Sequence, residues 1–334
     1  MQHHDEIDVR LLGPVEIAAR DGTVAVGGPR TRALVAVLAL ARGKAVPRDR
    51  IVDVLWSEEP PRRAKESVQM HVSRVRRGLK ARGVPGDRLV AVGDGYRLVL
   101  RKGECDLDRW EDALERARDA RAGGDRTAAR ALLDDALGLW RGEPLSGIGS
   151  NGALAPERAR LDEQQIGARL ERLELALDDG EAAAVVGELE RLAAAHPYQE
   201  TAARHLMLAL YRAGRQADAL EVFAALRRRL VDDLGLEPGE GVRGLQEAIL
   251  RQDPDLLGPS AVLAPELAPQ TAFVGRSGEL AWLEARWSEA RAGRGAVVAI
   301  TGLPWWNASL TTRPHGSRKS RVGTDGTTTT SLPA

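Results

Sequence analysis

Residues 62–83 read RRAKESVQMHVSRVRRGLKARG, and residues 88–100 read RLVAVGDGYRLVL. In the first stretch Val68, Val72, Val75 and Leu79 recur at steps of three and four, which gathers them on one face of an α-helix where they can meet a core. Arg63, Met70, Ser73, Arg74 and Arg77 fall on the opposite side. An isolated basic helix is usually only a solvated face. The neighbours change that reading. VPRDRIVDVLW at 46–56 is a second short helical run, Pro60-Pro61 makes a tight joint, and the hairpin that follows carries Gly93-Asp94-Gly95 where a close reversal needs positive φ. Two helices, a joint and a hairpin describe a winged helix-turn-helix, whose second helix enters the major groove of DNA.

Upstream, IDVRLL, VEIAA and TVAV within residues 7–26 are separated by Gly13-Pro14 and Asp21-Gly22, so a small antiparallel sheet is expected. Pro29 opens the helical run RTRALVAVLALARG, and Pro47 opens RDRIVDVLW. Residues 1–103 thus form one α+β domain of ordinary size.

The 334 residues carry no net charge, but that balance hides a division. Residues 30–97 hold 16 Lys/Arg against 7 Asp/Glu, whereas residues 103–256 hold 20 against 31. The first segment suits a polyanion and the second does not. Cys105 is the single cysteine, which excludes an intrachain disulfide or a multi-cysteine zinc site and fits a reducing cytoplasm. MQHHDEIDVR lacks the basic start and apolar run of a signal peptide, and no stretch approaches the length of a membrane span. A cytoplasmic, nucleoid-associated protein with no membrane partner is expected.

Residues 104–254 read as amphipathic helix throughout and form an all-α domain. Gly180 and Gly214 stand 34 positions apart, each before an Ala/Leu-rich helix, and Ala219, Phe223 and His196-Pro197 fall at offsets of a tetratricopeptide-like repeat. AGGDRTAARALLDDAL from Ala122 is a displaced copy. Trp110, Trp140, Tyr211 and Phe223 belong to the core. The adjacent pairs Asp134-Asp135, Asp178-Asp179 and Asp232-Asp233 diverge on their helices, so they are solvated or capping groups and not acid/base couples. Six scattered histidines offer no catalytic spacing, and the protein is expected to be neither an enzyme nor a cofactor binder.

Residues 255–271 are a Pro-rich linker. Residues 272–302, with FVGR at 273–276 and AVVAITG at 296–302, read as the start of a P-loop α/β domain. A phosphate loop needs G-x-x-x-x-G-K-[ST], yet Gly302 is followed by LPWWNASLTTRP, so nucleotide binding is not expected. Residues 303–334 read as a disordered tail by composition. A frameshift or premature stop in a longer regulator is one origin of that ending, testable by sequencing the locus for an intact phosphate loop in another frame.

On the basic helix, Arg62, Arg63, Lys65, Arg76 and Lys80 are the expected phosphate contacts, and Gln69, Ser73, Arg74 and Arg77 the expected base readers, because Arg pairs with guanine and Gln with adenine through two hydrogen bonds. Arg97 on the hairpin faces either the DNA backbone or solvent. His71, with no partner at ligand spacing, is structural or phosphate-facing and not a metal ligand.

The closing Gly95-Tyr96-Arg97 resembles the signature of the OmpR-type winged helix. ESVQMHVSRVRRGLK at 66–80 and VPRDRIVDVLW at 46–56 are similar to the recognition helix and preceding helix of the SARP class of antibiotic regulatory activators. CDLDRWEDALERA at 105–117, LGLWRGEPL at 137–145, LMLALYRAGRQADAL at 206–220 and LVDDLGLEPGEGVRGLQEAILRQDP at 230–254 resemble the bacterial transcriptional activation domain. FVGR and the strand after it resemble the ATPase start of that class's longer form. The resemblance implies an activator that binds double-stranded promoter DNA at direct repeats as a homodimer and contacts RNA polymerase. Relatives often carry an Arg shortly before the Gly-Tyr of the wing, where this chain has Val92, Gly93 and Asp94; specificity is therefore expected on the helix. The competing classes are a repeat scaffold that binds only proteins, which gives no reason for a concentrated basic domain, and a signalling NTPase fragment, which the missing lysine opposes.

Overall fold

A computed structural model describes residues 6–56, 59–149, 152–258, 296–303 and 307–314. The chain divides into two compact units, Met1–Ser260 and Ala261–Ala334.

The first unit begins with the strands β1 (Ile7–Arg10), β2 (Glu16–Ala19) and β3 (Gly22–Thr23), an antiparallel sheet in that order with Val9 opposite Ile17. Ile7, Val9 and Ile17 are buried, as alternation requires of a half-covered sheet. The expected third strand is shorter than TVAV, although Val24 still donates its N–H to Ile17 O at 2.7 Å and Val26 is buried. Helix α1 (Pro29–Leu40) starts with Pro where an N–H is dispensable and buries every residue from Ala33 to Ala39, so it forms the centre of the domain.

A short strand, β4 (Val46–Pro47), precedes α2 (Arg48–Trp56), and α3 (Ala64–Lys80) follows. The hairpin β5 (Leu89–Val92) and β6 (Gly95–Leu98) takes β4 as its third strand, in the order β4-β6-β5. Two residues escaped the sequence pattern here, because Val46-Pro47 is too short to show a period. Their consequence is visible at Gly95. A Cβ on Gly95 would lie 2.3 Å from Val46 O, so only glycine lets β4 approach β6.

Seven helices follow: α4 (Asp106–Ala122), α5 (Arg126–Leu137), α6 (Ala155–Asp178), α7 (Ala182–Ala195), α8 (Glu200–Arg212), α9 (Gln216–Leu234) and α10 (Glu240–Leu250). Asp125 caps α5 by accepting from Ala128 N at 2.9 Å. Gly180 and Gly214, at φ 85° and 78°, follow the ends of α6 and α8, as the repeat spacing required. Trp110 is fully buried and meets Trp140 edge-on at 5.1 Å, while Trp140, Tyr211 and Phe223 are half-buried against the core.

Packing does not divide the first unit at residues 103–104. One apolar cluster runs from Ile7 through Trp110 to Leu175, a second from Leu170 to Ile249, and α6 contributes to both. Backbone bonds sew the winged part to the helices: Val9 N to Glu104 O at 2.7 Å, Arg141 N to Leu12 O at 2.8 Å and Leu145 N to Leu11 O at 2.9 Å. The buried Asp106 carboxylate accepts the N–H groups of Leu11 at 2.8 Å and Leu12 at 3.0 Å. Arg88, at the foot of the hairpin, pairs with the buried Glu104 carboxylate at 2.7 and 2.8 Å. Each buried charge is thus paired or hydrogen-bonded, the condition for tolerating it in a core.

In the second unit β7 (Ala296–Leu303) pairs antiparallel with β8 (Asn307–Pro314). The AVVAITG strand is present. Asn307–Pro314, which its composition placed in a disordered tail, is a strand here; Thr311 and Thr312 are β-formers, and a neighbouring strand supplies the backbone partners that composition cannot reveal. The 255–271 linker beyond Gly258, the FVGR motif and the last twenty residues lie outside the described residues. Among the described residues no helix is long and apolar enough to cross a membrane.

Candidate nucleic-acid interface

Helix α3 presents two faces. Val68, Val72, Val75 and Leu79 are at most 1% exposed, and Gly78 lies so close to the β3–α1 connection that an added Cβ would meet Ala25 O at 2.9 Å. On the other side Gln69, Ser73, Arg77 and Lys80 form an exposed row at helical spacing, flanked by Met70 at 53% exposure. Arg62, Arg63 and Lys65 are exposed around the first turn, where Ser67 Oγ donates back to Arg63 O at 3.0 Å. Arg77 and Lys80 stand in the last turn, where cations also meet the negative end of the helix dipole.

Three predicted residues differ in placement from the rest. Arg76 is half-buried and its Nε donates to Leu89 O at 2.8 Å, so it ties α3 to the hairpin. A repeat of charges in the sequence does not separate such a tie from a free phosphate contact; the helical wheel does, since Arg76 sits between the buried and exposed faces. Arg74 is exposed but folds its stem over Gly27: a Cβ there, at φ +98°, would come within 2.8 Å of Arg74 Cδ. Lys65 Nζ is 3.2 Å from Asp49 Oδ1, an exposed pair that bridges α3 to the first turn of α2.

On the wing Tyr96 is buried and Arg97 exposed, the alternation expected of β6. The hairpin tip is exposed at Val92, Gly93 and Asp94. Arg30 and Arg48 also flank this surface, although neither stands out in the sequence. Arg30 lies 5.9 Å from the centre of the Trp56 ring, and Arg48 lies 5.4 Å from that of Tyr96, both in cation–π range. Neither pairing has a sequence signal, because the partners are 26 and 48 positions apart.

His71 is buried, with Nδ1 2.9 Å from Thr31 Oγ1 and its ring 6.0 Å from Trp56. Burial, and then the charges of Arg74 and Arg30, push its pKa below the ordinary histidine value. A neutral, hydrogen-bonded imidazole under the helix is a packing element. Among the described residues no group of three or more His, Cys, Asp or Glu is placed to hold a metal ion. The acidic pairs are engaged elsewhere: Asp134 lies 3.6 Å from Arg172, Asp179 lies 3.7 Å from Arg130, and Asp233 accepts from Tyr198 at 2.9 Å.

Residues 22–98 match the family described as transcriptional regulatory protein, C terminal, and residues 105–250 match the bacterial transcriptional activator domain. The chain is 35% identical over 271 residues to the regulatory protein DnrI of Streptomyces peucetius, covering 78% of this chain and 99% of that one. The chain belongs to the SARP family of transcriptional regulators. A second SARP relative, the regulatory protein AfsR of Streptomyces coelicolor, is 42% identical over 309 residues, covering 88% of this chain and 30% of AfsR. The SARP chain therefore spans less than a third of its AfsR relatives. Among solved structures, Mycobacterium tuberculosis EmbR in complex with a low affinity phosphopeptide superposes with a TM-score of 0.71 at 30% identity, covering 91% of this chain and 77% of that one. The winged domain followed by a helical domain is thus the architecture of this SARP chain.

Proposed function

We propose that this regulator is a sequence-specific, DNA-binding transcriptional activator. The carrying observation is the exposed row Gln69–Ser73–Arg77–Lys80 on a helix whose other face is locked into the core. Such a helix offers side chains to base edges without giving up its own packing. Gln69, Ser73 and Arg77 read bases; Arg62, Arg63, Lys65 and Lys80 hold phosphates and set the register, with Arg97 as a backbone contact from the wing. Arg74 and Arg76, both drawn toward neighbouring elements, take lesser parts in base and phosphate contact.

Family membership supports the rest: a homodimer on direct repeats of double-stranded promoter DNA, contact of the acidic helical part with RNA polymerase, and control of an antibiotic biosynthetic cluster from the cytoplasm. The mechanism is binding and not catalysis. The test is an electrophoretic band shift with the whole chain at two salt concentrations and with competitor DNA, because residues 1–103 alone would leave an apolar seam uncovered. Retention on a specific duplex that weakens steeply with salt is expected. Failure to retain any duplex at low salt would overturn the proposal.

A further inference from the structure

Between the start of α1, the end of α2, the middle of α3 and the Ile148-Gly149 turn lies a cavity of about 550 Å³. Its walls carry two kinds of chemistry. The half-buried Trp56 ring supplies apolar surface, with Leu55 and Ile148 buried behind it, and Arg30 and Arg74 supply guanidinium groups. The Arg30 guanidinium lies 5.9 Å from the centre of the Trp56 ring, and the stem of Arg74 crosses Gly27 toward α1, out of line with the Gln69–Ser73–Arg77 row. Neither guanidinium has a carboxylate within ion-pair distance among the described residues.

Among the described residues that charge is unbalanced. Helix α1 begins at Gly28 without a side-chain cap, so the positive end of its dipole adds to the same region. His71, 7% exposed, commits Nδ1 to Thr31, and burial, then the charges of Arg74 and Arg30, lower its basicity. Two guanidiniums lining one cavity with the half-buried Trp56 ring fit an anion with an apolar body, and Arg is suited to phosphate because its fork donates two parallel hydrogen bonds.

We propose that this cavity binds a phosphate group, with Arg30 and Arg74 as the clamp and the Trp56 ring against the apolar body attached to it. The phosphate comes either on a free small ester or on the DNA backbone beside the groove. The apolar wall and the turn from the helical part favour the free ester. The site shares Arg74 with the proposed DNA face of α3 but does not need the Gln69–Ser73–Arg77 row.

The test is calorimetric titration of the whole chain with phenyl phosphate, comparing the unaltered protein with Arg30→Ala, Arg74→Ala and Arg77→Ala. Saturable one-to-one binding is expected, weakened about tenfold or more by either of the first two substitutions and unchanged by the third. All three side chains are exposed, so unchanged melting temperatures check the fold. Repeating the titration with the chain saturated by a random-sequence duplex separates the sources: retained binding assigns a free ester, and competition assigns the DNA backbone. No saturable heat up to about 10 mM, or equal affinity in all four proteins, overturns the site. A chain that bound phenyl phosphate through Arg30 and Arg74 yet bound no duplex would sink the DNA reading alone.

Discussion

Individual arginines of α3 divide by what holds them. Arg63 is exposed and free of any carboxylate partner among the described residues, so Arg63→Ala should lower the slope of log K against log salt by about one unit while leaving the preferred sequence intact. Arg76 belongs to a different class, because its Nε bonds the hairpin at Leu89 O. Arg76→Ala should cost about 1 kcal/mol of stability, seen as a lower melting temperature, with little change in the salt slope. A full unit of lost slope without destabilisation would make Arg76 a full phosphate contact. The sequence exposed the residue types and the two faces of α3 but not this distinction. Periodicity separates buried from exposed, whereas a side chain on the boundary is decided by the neighbour that happens to lie there, and that neighbour is 13 residues away.

At the scale of elements, Gly95 controls how β4 joins the wing. A methyl group at that position would meet Val46 O at 2.3 Å, and backbone on both sides leaves little room to yield. Gly95→Ala should therefore destabilise by about 1–3 kcal/mol and weaken DNA binding by displacing the hairpin. Thermal denaturation and band shift together check this; a variant as stable as the parent would show that β4 is free to move. The family signature Gly-Tyr-Arg was legible in the sequence, but the reason for its glycine was not, because a two-residue strand carries no pattern. Long elements were legible for the opposite reason. Helices α4 to α10 repeat their apolar spacing over several turns, and the glycines after α6 and α8 mark where backbone must turn left-handed.

On the scale of the molecule, the winged part and the first helices share one core, so the whole first unit should resist dissection. Removing residues beyond 103 would take away Trp110 and the other helical members of the apolar cluster that holds Ile7, Val9 and Leu11, and such a fragment should melt well below the intact chain. The second cluster contributes its own pH dependence through His205. Burial, and then the neighbouring Arg204 charge, lowers its pKa from 6.5 to about 4, although Glu174 lies 4.0 Å away. The unfolded chain takes up this proton at a higher pH than the folded chain, so the stability gained by keeping His205 neutral is present above pH 6.5 and lost as the pH falls toward 4. The loss amounts to up to about 3 kcal/mol, and His205→Gln should flatten the acid side of the stability profile. Identical profiles would place the acid sensitivity elsewhere. Base reading by α3 is tested most directly by selection of duplexes from a random library with the whole chain, beside Gln69→Ala and Arg77→Ala. The parent should enrich a repeated motif, and each variant should relax specific base positions, at about 1–3 kcal/mol per lost contact, while keeping the repeat spacing. Identical motifs from all three proteins would contradict base reading by this helix.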